Sequence, residues 1–148
     1  MIRGTQRKSC RALPEAVPCP TFDNLSKVEI MANRLLPLRD LTAPVEKDAP
    51  WPGTAVSGDP HTKTQNLHTS DDGKILAGIW ESTPGVWKID YDAWEYCHLL
   101  AGSCTIQIEG KPPVTLKAGD VFIVETGAKG TWTVHENLRK YYVFALGH

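Results

Sequence analysis

The chain has 148 residues, of which 41% are hydrophobic and 22% charged, and its formal net charge at pH 7 is -1. This length is enough for one domain with a sizeable core, and the composition is ordinary for a globular protein. The near-zero charge argues against a nucleic-acid partner or an anionic membrane surface. No apolar run reaches the roughly 18 residues that a membrane span requires. The five tryptophans predict a large aromatic interior or a pocket lined with rings.

The N-terminal thirty residues differ in composition from the rest. The first thirteen contain four basic side chains and no acidic one, and three prolines follow within the next seven positions. We expect residues 1–30 to be a disordered tail, or an extension upstream of an alternative start at Met31. A basic organelle leader is the less favoured alternative, because its amphipathic character is weak. Residues 31–60, rich in proline, are expected to form a linker and edge segment before a domain over residues 61–148.

From about residue 62 the pattern becomes that of β-structure. Glycine-containing and proline-containing turn signals recur at short intervals, and short strand-like runs lie between them, as is typical of a sandwich or barrel. The alternation of apolar and polar residues predicts half-buried antiparallel strands. No long segment of this region has a helical period. The predicted strands are Ile75–Glu81, Val86–Tyr91, Trp94–Leu100, Cys104–Glu109, Val114–Lys117, Val121–Glu125, Thr131–His135 and Tyr141–Leu146.

Glu95 and Cys97 lie two residues apart in a predicted strand, so their side chains should share one face. A carboxylate among apolar neighbours is costly unless it is hydrogen-bonded, paired with a cation or bound to a metal. Glu95 is therefore a candidate general acid or base, and Cys97 is a candidate nucleophile. The alternative is a buried, hydrogen-bonded glutamate beside a core thiol.

Three further side chains are candidates for contact with a ligand. Trp87 and Trp132, on facing strands, are predicted either to form the ring walls of a pocket for a small polar substrate or to fill the core. Lys140 is a candidate cation that balances Glu95, although the local pattern does not decide whether it points inward. The four cysteines form no CxxC spacing, which predicts free thiols in a reducing compartment and a cytoplasmic location.

Two short motifs carry a family resemblance. Glu95 precedes Gly102 by the spacing that closes the first cupin motif, and Gly119-Asp120 and Gly127 open and close the second, with Glu125 where proline is usual. The chain therefore resembles the cupin superfamily, which implies a single-domain, all-β jelly-roll barrel with a site in its interior. More narrowly, it resembles the small cupins related to the cupin domain of ureidoglycine aminohydrolase. The matching segments are SGDP, GIWESTPGVWKIDY, EYCHLLAG, KAGDVFIVETGAKGTWTV and RKYYVF.

The same resemblance implies a metal site of three histidines and one glutamate in typical members. The positions of the three histidines fall on Ile89, Tyr91 and Gly130. Only Glu95 of the usual ligands is present, so the sequence assigns no metal cofactor. A divalent metal stays open as an alternative, with substitute ligands such as His61, His68 or Cys97. Tyr91 places a hydroxyl where a histidine is usual and joins Glu95 and Cys97 as a candidate catalytic group.

Three functions follow as alternatives. The first is an enzyme that converts a small polar, nitrogen-containing or sugar-like metabolite, in the manner of an aminohydrolase, with Glu95 handling protons. The second is a non-catalytic binding module in which Glu95 is paired with a fixed cation. The third is a structural or oligomerisation unit with a solidly packed interior. The sequence contains no nucleotide-binding glycine loop, Gly-x-Ser-x-Gly elbow or His-Glu-x-x-His motif. A homodimer is expected from the cupin resemblance.

Overall fold

The computed structural model describes residues 35–147, so the tail predicted for residues 1–30 lies outside the described residues. The described part contains a 3-10 helix, Leu38–Asp40, no α-helix, and eleven strands. The strands are β1 (Glu46–Lys47), β2 (Gly53–Ser57), β3 (Thr62–Thr69), β4 (Ile75–Ser82), β5 (Gly85–Asp90), β6 (Trp94–Ala101), β7 (Ser103–Ile108), β8 (Val114–Lys117), β9 (Val121–Val124), β10 (Lys129–Val134) and β11 (Leu138–Ala145). The eight strands predicted from the sequence are all present, with ends that differ by three residues at most.

The strands form two antiparallel sheets. One has the order β1-β3-β4-β11-β6-β9 and the other the order β2-β5-β10-β7-β8. The inner faces meet through aromatic rings: Trp132 of β10 lies 6.1 Å from Trp80 of β4 and 5.8 Å from Phe122 of β9, measured between ring centroids. The predicted all-β jelly-roll barrel is confirmed.

Alternation along the strands decides which side chains enter the barrel. In β6, Glu95, Cys97 and Leu99 are fully buried, while the residues between them are half-exposed. The strand ends at Ala101 and is followed by Gly102, which has a φ of 84° and lies against the backbone of Asn137. A side chain at this position would clash with that backbone, so the turn into β7 requires glycine.

Two edge strands lie in the segment expected as linker and edge. β1 pairs with β3 at the edge of one sheet, and β2 pairs with β5 at the edge of the other. The loop between β1 and β2 carries Trp51, whose ring packs into the interior, 4.8 Å from Trp80 and 5.6 Å from Trp132. This loop therefore covers part of the aromatic core. Within the described residues, no helix has the length and apolar character needed to cross a membrane.

Candidate functional site

A buried ion pair joins β6 and β11, which are neighbours in the same sheet. The ammonium of Lys140 lies 2.6 Å from Oε1 of Glu95, and both side chains are only 1% exposed. Lys140 points inward because it lies on the same face of β11 as Leu138 and Tyr142, which are also buried. The structure thus supplies the orientation of Lys140 that the sequence left open.

Lys140 is surrounded by rings as well as by its carboxylate. Its ammonium donates to Sγ of Cys97 at 3.4 Å and lies 4.6 Å from the ring centroid of Trp132, 5.1 Å from Trp80 and 5.8 Å from Trp51. Burial alone would lower the pKa of Lys140, but its contacts with Cys97 and Glu95 outweigh burial and raise that pKa. Glu95 is the main cause of the raised pKa, because it is the charged partner at hydrogen-bond distance. Lys140 is therefore an ammonium at neutral pH and acts only as a donor.

The second oxygen of Glu95 also has a donor. The hydroxyl of Tyr91 donates to Oε2 of Glu95 at 2.7 Å. Burial, followed by the charge of Glu95, raises the pKa of Tyr91 well above its ordinary value, so Tyr91 stays neutral and keeps its proton. The carboxylate is thus fixed from both sides by charged and neutral donors.

Cys97 is placed beside these groups but is not activated by them. Burial raises the pKa of the Cys97 thiol far above its ordinary value, and the opposing influence of Lys140 is smaller. A nucleophilic cysteine needs a substantial thiolate fraction at neutral pH. Cys97 is therefore a protonated core thiol in this structure, and its predicted role as a nucleophile receives no support from the geometry.

A cavity of about 830 Å³ reaches the Glu95–Lys140 pair from the surface. Its buried end is formed by Trp80, Glu95 and Lys140, and its exposed end by the acidic residues Glu46, Asp90 and Asp92. The side walls include Trp51 and Tyr142 among mostly apolar residues. This volume lies within the range of small-molecule sites, which are concave and mostly apolar with a few placed polar groups.

The predicted site residues divide into two groups. Glu95, Tyr91, Cys97, Lys140 and Trp132 come together around the buried ion pair. Of these five, only Glu95 and Lys140 line the cavity.

Trp87 lies elsewhere. It stands directly opposite Trp132 on the neighbouring strand of the same sheet, rather than on a facing strand. Its indole N–H donates to Oγ of Ser82 at 3.3 Å. Trp87 lines a surface groove that shares Trp51 with the cavity, but Trp87 does not line the cavity itself.

Sequence reasoning missed Trp51 and Trp80 as site residues. Trp51 is flanked by prolines in a segment interpreted as a linker, and no local pattern reveals that its ring folds back into the barrel. The alternation of β4 could have identified Trp80, since Gly78, Trp80 and Ser82 share its buried face. Both indole N–H groups are buried and have no acceptor among the described residues.

The residues present do not fit the metal centre that typical cupins hold. Ile89 offers no ligand atom, and Tyr91 already donates its proton to Glu95. A side chain at Gly130 would collide with the carbonyl oxygen of Gln107. The ammonium of Lys140 lies against the carboxylate oxygen that a metal would need. No group of three or more His, Cys, Asp or Glu side chains within residues 35–147 could hold a metal ion.

The two histidines considered from the sequence as substitute ligands do not join the site either. His61 contacts Asp48 and Asp59 at the surface, at 3.3 and 3.6 Å. Neither His61 nor His68 lines the cavity that holds Glu95. We therefore derive no chemistry from a metal for this site.

Two antiparallel sheets that enclose a polar site within an aromatic interior are the arrangement expected of a cupin, one class of jelly-roll protein. The chain belongs to the family of the EutQ-like cupin domain, whose model matches residues 69–142. The predicted cupin class is thereby confirmed, but the family shown is the EutQ-like one and not that of ureidoglycine aminohydrolase.

Solved structures agree with this assignment. A DUF861-family protein from Pseudomonas syringae pv. tomato is 26% identical, with a TM-score of 0.61 over 70% of this chain and 45% of that one. This chain thus spans less than half of that protein. The Clostridium difficile EutQ protein is 20% identical, with a TM-score of 0.53 over 60% of this chain and 70% of that one. A putative ethanolamine utilization protein Q from Salmonella typhimurium is 19% identical, with a TM-score of 0.53 over 72% of this chain and 99% of that one. The last two show the fold alone, and no curated protein matches the sequence.

Proposed function

We propose that this cupin binds a small polar metabolite in the cavity, with a hydrogen-bond acceptor of the ligand at the buried end. The observation that carries the proposal is the excess of donors there. Lys140 has three N–H donors, of which one points to Glu95 and one to Cys97. The indole N–H groups of Trp51 and Trp80 have no acceptor in the described chain. Buried donors without partners are costly, so a carbonyl or carboxylate oxygen from a ligand would stabilise this end.

The pairing of Glu95 with a fixed cation favours the binding form of this proposal over the catalytic form. Both carboxylate oxygens already accept a short hydrogen bond, at 2.6 and 2.7 Å. Each oxygen keeps further lone pairs, so Glu95 can also accept an N–H or O–H from the ligand. The open cavity of about 830 Å³ argues against the third alternative, a solidly packed structural unit.

An aminohydrolase-like conversion is the catalytic form, suggested by the sequence resemblance. In that reaction Glu95 would take a proton from an attacking water and return it to the departing amine, with release of ammonia. Incubation of each ligand found by screening, followed by NMR and an ammonia assay, tests this form. Catalysis is favoured if the wild type converts the ligand and Glu95→Gln still binds the ligand but no longer converts it. Static binding is favoured if the wild type leaves the ligand unchanged.

The binding proposal is tested with a metabolite screen by thermal shift, followed by titration of each hit. Trp80→Phe keeps a ring but removes the N–H, and we expect it to weaken binding of acceptor-bearing hits about fivefold to tenfold. Trp87→Phe is the matched control, because its N–H is bonded to Ser82 and its side chain lies outside the cavity. Binding unaffected by Trp80→Phe, or no saturable binding to the wild type, would refute the proposal.

We also propose a homodimer in a cytoplasmic setting. Cys97 and Cys104 are both free and buried, which fits a reducing compartment. Light scattering coupled to size-exclusion chromatography of the full chain measures the mass directly. A monomeric mass at micromolar concentration would contradict the dimer, and fractionation of the source cells tests the location.

A further inference from the structure

The exposed end of the cavity is rich in negative charge. Glu46 and Asp92 line it, are exposed, and have no ion-pair partner within residues 35–147. Asp90 also lines it but is paired with Lys129 at 3.2 Å. The only cationic side chain lining the cavity in the described chain is Lys140, which Glu95 balances. The cavity therefore has a net negative charge that arises at its exposed end.

The negative charge acts into the cavity and not only toward solvent. The hydroxyl of Tyr142, on the cavity wall, has a pKa raised to about 12 by burial and then by the charges of Glu95 and Glu46. Aromatic rings of Trp51 and Phe144 share the cavity with these acids. Carboxylates beside rings are the surroundings that stabilise an alkylammonium group, through charge attraction and cation–π contact.

A second, independent observation points to a ligand in the same cavity. Trp80 is 3% exposed and lines the cavity, and its indole N–H has no acceptor among the described residues. The two ends therefore differ in what they leave unpartnered: the exposed end has carboxylates without cations, and the buried end has an indole N–H without an acceptor.

We infer that the cavity selects a small ligand with a protonated amine at one end and a hydrogen-bond acceptor at the other. The amine lies near Glu46 and Asp92, and the acceptor lies near Trp80 and Lys140. This inference rests on the proposed function, because it adds the class of ligand to the site proposed there. It excludes ligands whose only charge is negative, since they would meet the unpaired acids on entry.

The test uses matched probes that differ only in the amine. The probes are 4-aminobutanamide and 6-aminohexanamide, each compared with the corresponding amide that lacks the amine, and butanoate serves as the anionic probe. Binding is measured by protein-observed NMR and by tryptophan fluorescence, because Trp51 and Trp80 line the cavity. We expect each amine-bearing amide to bind about fivefold to tenfold more tightly than its neutral counterpart, and the difference to shrink as salt is raised. Butanoate is expected to bind most weakly.

The acidic end is tested by the double variant Glu46→Gln with Asp92→Asn. Both residues are exposed, so the fold should be unaffected. The control is Asp71→Asn with Glu125→Gln, which changes the net charge equally at exposed acids outside the cavity. We expect the first pair to abolish the preference for amines and the control pair to keep it.

The outcomes separate this inference from the proposed function. If neutral amides bind as tightly as their amine-bearing counterparts, and Trp80→Phe weakens both, the amine inference is overturned while the proposed binding site stands. If the control pair reduces the preference as much as the test pair, the acidic end is not the amine site and the inference fails. If no probe and no library compound binds, both are overturned.

Discussion

Replacement of Lys140 by methionine is the most direct test of the buried ion pair. The change keeps much of the side-chain volume but leaves Glu95 as a buried carboxylate with Tyr91 as its remaining donor. Both members of the pair are only 1% exposed, so water cannot replace the lost cation without rearrangement. Removal of one partner of such a pair typically costs about 3–5 kcal/mol. For a domain of this size, we expect a fall in Tm of roughly 10–20 °C.

The assay is urea unfolding at neutral pH, followed by circular dichroism, for Lys140→Met, Glu95→Gln and the double variant. Each single change leaves a buried group without its partner, whereas the double change removes both charges. The double variant should therefore lose about 2–3 kcal/mol less than the sum of the single variants. The matched control is Lys129→Met, which breaks an ion pair with Asp90 whose side chains are 56% and 64% exposed. This control should cost less than about 1 kcal/mol.

Two results would refute the reasoning. If Lys140→Met costs no more than Lys129→Met, the buried pair does not hold the site together. If the losses of the two single variants add in the double variant, Lys140 and Glu95 do not interact in the folded protein.

Three further predictions concern other parts of the barrel. The pKa of His61 is raised above its ordinary value of 6.5 by its hydrogen bond to Asp48. The stabilising effect of protonated His61 is therefore complete below pH 6.5 and is lost as pH rises through the pKa of the folded state. The loss of stability on His61→Gln should be larger at about pH 5.5 than at about pH 8.5, and an equal loss at both would contradict this prediction. Gly102→Ala should lower the free energy of unfolding by about 2–4 kcal/mol, measured in urea, because the added methyl group would clash with the backbone of Asn137. Gly110→Ala is the control: it is also at positive φ but faces open space, so it should cost only about 1–2 kcal/mol. Similar costs for the two variants would show that the turn at Gly102 can move. Because the Cys97 thiol stays protonated, Cys97→Ala should change ligand affinity or turnover by no more than about twofold while lowering stability. A complete loss of turnover with binding retained would instead indicate that Cys97 is a nucleophile.

Local pattern was sufficient to predict an all-β sandwich or barrel and the inward direction of Glu95, and the resemblance to cupins specified the barrel. Alternation in β6 reports which side chains share a face, and the glycine-containing turns fix where strands end. β-structure was expected from about residue 62, but the bounds of β3 were not predicted, because its sequence TKTQNLHT is polar and has no clear apolar alternation. The position of β3 in the sheet is set by its pairing with β4. The local sequence of β3 does not reveal that pairing.

The composition of the site was less accessible from the sequence. Lys140 and Glu95 are 45 residues apart, and a register irregularity between Arg139 and Lys140 interrupts the pairing of β11 with β6. A lysine in a strand is ordinarily taken as exposed, since burial of an ammonium is favourable only with a partner in place. That partner exists only after the two strands pair.

The sequence by itself therefore determined the all-β cupin barrel, the buried position of Glu95 and the loss of the usual histidine ligands. The tertiary structure alone decided that Lys140 points inward, that Trp51 and Trp80 enclose its ammonium, and that Glu46 and Asp92 share one end of a cavity. The physical reason is the range of the interactions involved. Strand alternation and turn conformation are local properties, whereas ion pairing, ring packing and cavity shape depend on residues that only the closed barrel brings together.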